Sequence, residues 1–145
     1  MTTGTLPKYS DGIAAALLGA REAVMSPIRP ILRAHELTEQ QWRLMRVLID
    51  LGPMEISRAA EASMIMAPSA TRILKDLVTR ELVAKKTDAK DKRRSTISIT
   101  RKGRSIVRKT AKETTALLES YRTRFGNKRF NELLSELQAF ERAIR

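Results

Sequence analysis

Two stretches carry side chains whose type and spacing suit chemistry. Between Ala67 and Val78, the polar residues Ser69, Thr71, Arg72 and Lys75 interleave with Ile73, Leu74, Leu77 and Val78. The apolar set recurs at three- and four-residue spacing, so it marks the buried side of a helix and leaves the polar set outward. Hydroxyls and a guanidinium near the start of an exposed helix can hydrogen-bond base edges, and an ammonium can hold a base or a phosphate. Pro68 suits the first turn, where its missing N–H costs nothing. The amides around it carry partial positive charge that favours phosphate. Ala67 in the cap position is a poor cap, so a weak helix start is expected. Further on comes Asp88-Ala89-Lys90-Asp91-Lys92-Arg93-Arg94, charged at every position but Ala89. Such a tip buries nothing and offers Lys92, Arg93 and Arg94 to a polyanion. Either stretch alone also reads as a solvated surface; one directly after the other points to double-stranded DNA.

Other chemistries lack their residues. There is no cysteine, so disulfides, thiol redox sensing and thiolate metal sites are excluded. One histidine, His35, builds no zinc site alone. No paired carboxylates share a helix face, and neither a Ser/His/Asp grouping nor a phosphate-cradling glycine loop is present. No enzyme, catalytic residue, metal or cofactor is therefore expected. No apolar run is long enough for a membrane span, no signal peptide is read, and a cytoplasmic location follows as the default.

The net charge of +12 on 145 residues is unevenly spread. Residues 1–36 carry +1, residues 37–71 carry −1, residues 72–105 carry +8 and residues 106–145 carry +4. Two thirds of the excess thus lies in residues 72–105, which hold Arg72, Lys75 and the charged tip, as a polyanion partner requires.

The elements that must position these groups follow from periodicity. A loose arm is expected over Met1–Tyr9, then a helix capped by Ser10 or Asp11 and fading by Ala34-His35. Its stripe is Ile13, Leu17, Ala20, Val24, Ile28 and Ile31, and Pro27 and Pro30 should kink it near Met25-Ser26. Thr38 and Gln41 form a capping box for a helix that Gly52 ends in a left-handed cap. Ile56, Ala59, Ala60 and Met64 make a short third helix with small residues inward. The helix from Pro68 follows, then strands over Leu82–Thr87 and Ser95–Thr100 around the charged tip. Thr100 caps a long helix with Ile106, Leu117, Leu118, Tyr121 and Phe125 on its apolar side. Gly126 ends it, and Asn127 caps a last helix striped by Phe130, Leu133, Leu134, Leu137, Phe140 and Ile144.

Three helices and a two-stranded hairpin make a winged helix-turn-helix: mainly α, with a small β-hairpin wing. That module needs only about residues 37–100 of a single domain. The helices over about 11–36 and 101–145 carry apolar stripes with too little of the module left to cover them. A second copy of the chain is the economical cover, and a homodimer would set two recognition helices roughly 34–36 Å apart on a pseudo-palindromic operator.

From about Ile13 onward the chain resembles the MarR family of bacterial transcriptional regulators. The segment Asp91-Lys92-Arg93-Arg94-Ser95-Thr96-Ile97-Ser98-Ile99-Thr100 fits that family's Asp-x-Arg wing signature. The resemblance implies that Arg93 enters the minor groove and that Asp91 helps fix the wing through an ion pair. Residues Ala16–Leu18, Ala20–Ala23, Met25-Ser26, Arg29-Pro30 and Leu37–Arg43 are similar to family members that repress aromatic-acid catabolism. The recognition-helix region departs more, so the operator need not be shared.

An effector site can be argued from the residues themselves. Arg21 falls on the stripe of Leu17 and Val24, and Arg46 sits one turn beyond Trp42. An arginine beside an apolar stripe needs an anionic partner. An aromatic acid supplies a carboxylate for it and a ring for Trp42, Met25 and Met45, while Ser26, Arg29 and His35 add polar groups. An internal ion pair with Glu22 or Glu39, or an arginine reaching solvent along its stem, answers the same need. The expectation is a ligand-responsive repressor that a phenolic acid releases from DNA by favouring the form that does not bind DNA. The alternatives are a regulator of efflux or stress genes and a sequence-indifferent architectural binder.

Overall fold

A computed structural model of the chain describes residues 4–145. The described residues form seven α-helices, a 3₁₀ turn at Tyr9–Asp11 and one antiparallel sheet. In order these are α1 (Ile13–Met25), α2 (Ile28–Ala34), α3 (Glu39–Leu51), β1 (Met54–Glu55), α4 (Ile56–Ala62), α5 (Ala67–Thr79), β2 (Val83–Thr87), β3 (Ser95–Ile99), α6 (Arg101–Phe125) and α7 (Asn127–Ile144). The chain divides into two compact units, Ile28–Lys112 and the remainder up to Pro27 with Glu113–Arg145.

The Ile28–Lys112 unit is a winged helix-turn-helix. Ile28, Leu32, Leu44, Met45, Leu48, Leu77, Leu82 and Ile97 are at most 2% exposed and form its centre. Each such side chain contributes about 1.5–3 kcal/mol relative to exposure. The capping box forms as the sequence predicts: Gln41 N donates to Thr38 Oγ1 at 3.1 Å and Thr38 N donates to Gln41 Oε1 at 3.0 Å.

Three helices of this unit end in one device. Leu37 N, Ile65 N and Leu82 N each donate to the carbonyl five residues back, on Leu32, Ala60 and Leu77, all at 2.9 Å. The residue before each donor, Glu36, Met64 or Glu81, takes a left-handed conformation with φ of 56°, 56° and 59°. This is the Schellman motif, and its apolar residue beyond the turn is buried in all three cases.

The sheet has strand order β1-β3-β2, with Val83 opposite Ile99 and Lys85 opposite Ile97. Thr100 joins wing to helix. Its hydroxyl donates toward Glu81 O and Leu82 O and accepts from Gly103 N at 2.9 Å, which caps α6. Gly103 lets the helix pass this close, since a Cβ there would collide with Leu82 O.

The other unit holds α1, the later turns of α6, and α7. No residue of α1 or α7 is buried. Tyr121 Oη donates to Val24 O at 2.9 Å. At the Gly126 corner, with φ of +101°, Arg122 lies over Phe130 and Arg129 over Phe125, 4.5 and 4.2 Å from the ring centres.

Several sequence expectations are corrected. Pro27 breaks the first helix outright instead of kinking it, and Pro30 falls in the first turn of α2, where it is tolerated. The first three residues of the arm expected over Met1–Tyr9 lie outside the described residues. Tyr9, Ser10 and Asp11 form the 3₁₀ turn, so Gly12 flanks α1 without a side-chain cap. Gly52 has positive φ but an extended ψ of −172°, which leads straight into β1. Met64 is not on the inner side of α4; it is 67% exposed in the turn after it. Asn127 does not cap α7. It is that helix's first residue, and its Oδ1 accepts from Arg122 at 3.3 Å.

Candidate nucleic-acid interface

Helix α5 starts with Met66, not Ala67, in the flanking position, and no side chain caps it. The weak start read from the sequence therefore holds for a different residue. Ala70, Ile73, Leu74 and Leu77 are buried, which fixes the rotation of α5 in the unit. Pro68, Thr71, Arg72 and Lys75 are consequently exposed, while Ser69 is half-covered. Thr71 Oγ1 donates to Ala67 O at 3.4 Å, a long bond that leaves the hydroxyl adaptable.

Four ties outside the hydrophobic core hold this helix. Gln41 Nε2 donates to Asp76 Oδ2 at 2.6 Å, so one side chain caps α3 and fastens α5 to it. Arg80 Nη1 donates to Glu36 O at 2.8 Å and pairs with Asp76 at 3.6 Å. Arg43 donates to the carbonyls of Ser63 and Met64, the turn that leads into α5. Glu39 braces Arg43 from the other side, at 3.3 Å, and also accepts from Arg29 at 3.1 Å. The sequence reading missed Arg43 and Asp76. No local pattern marks a residue whose partner lies 20 or 35 positions away.

The wing tip is structured by its aspartates. Asp88 Oδ1 accepts from Lys90 N at 2.8 Å, and Asp91 Oδ1 accepts from Arg93 N at 3.0 Å. Arg94 N returns to Asp91 O, and Asp88 N to Arg94 O, closing the loop. The ion pair of Asp91 is with Arg93 itself, at 3.2 Å. The contact is made by Arg93 Nε, part of the guanidinium itself, and the side chain stays 92% exposed. Lys92 is exposed and Arg94 lies 3.9 Å from Glu55. The hairpin thus presents an exposed cation on a structured turn at its end.

The seven residues considered for an effector fall in both units. In the first, Arg21 is 3.7 Å from Glu22, Met25 ends α1 and is half-buried, and Ser26 is exposed. In the winged unit, Arg29 is paired with Glu39 and His35 is half-buried after α2. Trp42 is half-buried on α3, with the Arg46 guanidinium 5.1 Å from its ring centre. Of these, Trp42 and Arg46 are brought together; Arg29 is turned to a carboxylate.

Comparison with known proteins agrees with this architecture. The MarR family model matches residues 37–95. The homoprotocatechuate degradative operon repressor of Escherichia coli is 35% identical over 133 residues, covering 90% of this chain and 88% of the relative. The HTH-type transcriptional regulator FarR of Neisseria gonorrhoeae is 31% identical over 131 residues, covering 88% and 90%. Among solved structures, NadR in complex with 4-hydroxyphenylacetate superposes with a TM-score of 0.81 at 30% identity, covering 98% of this chain and 99% of that one.

Proposed function

The chain belongs to the MarR family of transcriptional regulators, and on that footing we propose that it is a homodimeric repressor of an aromatic-acid catabolic operon, released from its operator by a phenolic acid. The exposed α5 face and the exposed Arg93, both in the winged unit, carry the DNA reading. Ser69, Thr71 and Arg72 read base edges in the major groove, with Pro68 and Lys75 beside them. Arg93 enters the minor groove, where the potential is most negative, and Lys92 and Arg94 hold phosphate. Asp91 sets the aim of Arg93. The protein works where the chromosome lies, in the cytoplasm.

The dimer reading rests on the apolar residues of the terminal helices. Ile13, Leu17, Leu18 and Val24 on α1, and Leu133, Leu134, Leu137, Phe140 and Ile144 on α7, are all exposed. A second copy of the same helices offers the matching stripes. The effector class rests on relationship to a degradative-operon repressor along nearly the whole chain. Arg46 supplies a cation for a carboxylate and Trp42 a ring for stacking. His35, in the same unit, is the further contact we assign to it.

Fluorescence anisotropy on promoter fragments beside the gene tests both parts. One fragment should bind far more tightly than random duplex, and millimolar 4-hydroxyphenylacetate should weaken it at least about tenfold, a coupling of about 1.4 kcal/mol. Equal binding to every fragment would remove the repressor reading. Release by lipophilic compounds but by no phenolic acid would move the chain to the efflux class.

A further inference from the structure

The first half of α6 is basic in a way that neither α5 nor the wing explains. Arg101, Lys102, Arg104, Arg108, Lys109 and Lys112 are all exposed, and no acidic residue interrupts them. At about 100° per residue they fall within an arc of about 160°. The buried Gly103 and Thr110 lie on the opposite side of the helix. The six therefore form one continuous stripe about 17 Å long.

The nearest acidic residue along α6 is Glu113, one turn after Lys109, and no ion pair joins it to the stripe. None of the six forms an ion pair among the described residues. Along α7 and at its end, by contrast, Lys128 faces Glu132 and Arg145 faces Glu141, one turn apart. Cations early in a helix also oppose its dipole. The stripe thus costs folding free energy, through mutual repulsion and through the helix field.

The operator contact does not use it. The stripe starts at the end of β3 away from the tip, and that five-residue strand separates the two by about 17 Å. On β2, exposed Lys85 opposite Ile97 and exposed Lys86 opposite Thr96 put one cation on each face of the sheet between stripe and tip. We infer that the α6 stripe holds the phosphates of duplex DNA flanking the operator, without reading sequence. The occupant follows from charge complementarity and from continuity with the wing. This inference rests on the DNA-binding reading above.

The test compares a duplex trimmed to the operator with one extended by about 15 base pairs on each side. The proteins are the parent and the triple variant Arg104→Gln, Arg108→Gln and Lys112→Gln. The parent should bind the extended duplex more tightly, with a salt slope steeper by about two to three units. The variant should lose that difference and match the parent on the trimmed duplex. It should melt no lower than the parent, because it loses only repulsion. Identical parent slopes on both duplexes would overturn the inference, as would a variant that keeps the advantage. A gain seen only when a second, separate duplex is added would also overturn it, in favour of bridging. Failure to bind the trimmed duplex at all would instead sink the DNA-binding reading.

Discussion

The two units of this chain differ in what they leave uncovered. Between Ile28 and Lys112, leucine, isoleucine and methionine side chains close over one another, and polar ties such as Gln41–Asp76 finish the work. In the other unit, α1 and α7 bury no residue among those described. Its apolar stripes are as regular as those of the winged unit but end at the surface. A unit that satisfies itself can hold a reading head in fixed geometry. A unit that leaves its apolar stripes open is where the proposed second chain would dock.

The sharpest way to break this contrast is to charge the open stripe. If the proposed dimer forms through this stripe, Leu137→Asp with Phe140→Asp should give monomers and weaken operator binding by about 10²–10⁴, the gain that linking two heads supplies. Sedimentation and anisotropy read both effects. A variant that stays dimeric would show that α7 is covered otherwise.

Next in size is a cavity in the closed unit. Leu77 is fully buried, so Leu77→Ala should cost about 2–5 kcal/mol in denaturant unfolding. A loss below 1 kcal/mol would mean that the core around α5 is looser than its burial indicates.

The contrast is sharpened by substitutions that leave both units intact. Arg72→Ala should relax base preference at one operator position by about 1–3 kcal/mol, whereas Arg93→Ala should weaken all sequences alike and lower the salt slope by about one unit. Equal salt titrations for Arg93→Ala and parent would remove the wing contact. The smallest effect concerns the turn before α5. Met64 is exposed at a φ of 56°, where a Cβ is disfavoured. Met64→Gly should therefore raise stability by about 0.5–1 kcal/mol, visible as a higher melting temperature.

What could be read from the sequence was what is local and periodic. Thr38 and Gln41 announced their capping box, and the apolar residues of α5 fixed which polar residues stand outward. Strand boundaries came within one residue, because Ile97 and Ile99 alternate with polar neighbours. Strand β1 escaped notice, since Met54-Glu55 is too short to show a period and is held by pairing with Ile97 and Thr96, far along the chain. The three Schellman turns escaped because Glu36, Met64 and Glu81 stand where glycine would have signalled them. The bracing of α5 by Arg43 was hidden for the same reason as β1: its partners are distant in sequence and near only after folding.

The central proposition is that two chains hold one duplex. Sedimentation of the purified protein, alone and with a labelled promoter fragment, tests it most directly. Two copies of the chain per duplex, and a dimer in the absence of DNA, are predicted. A single chain that sediments as a monomer and prefers no fragment over random duplex would contradict it.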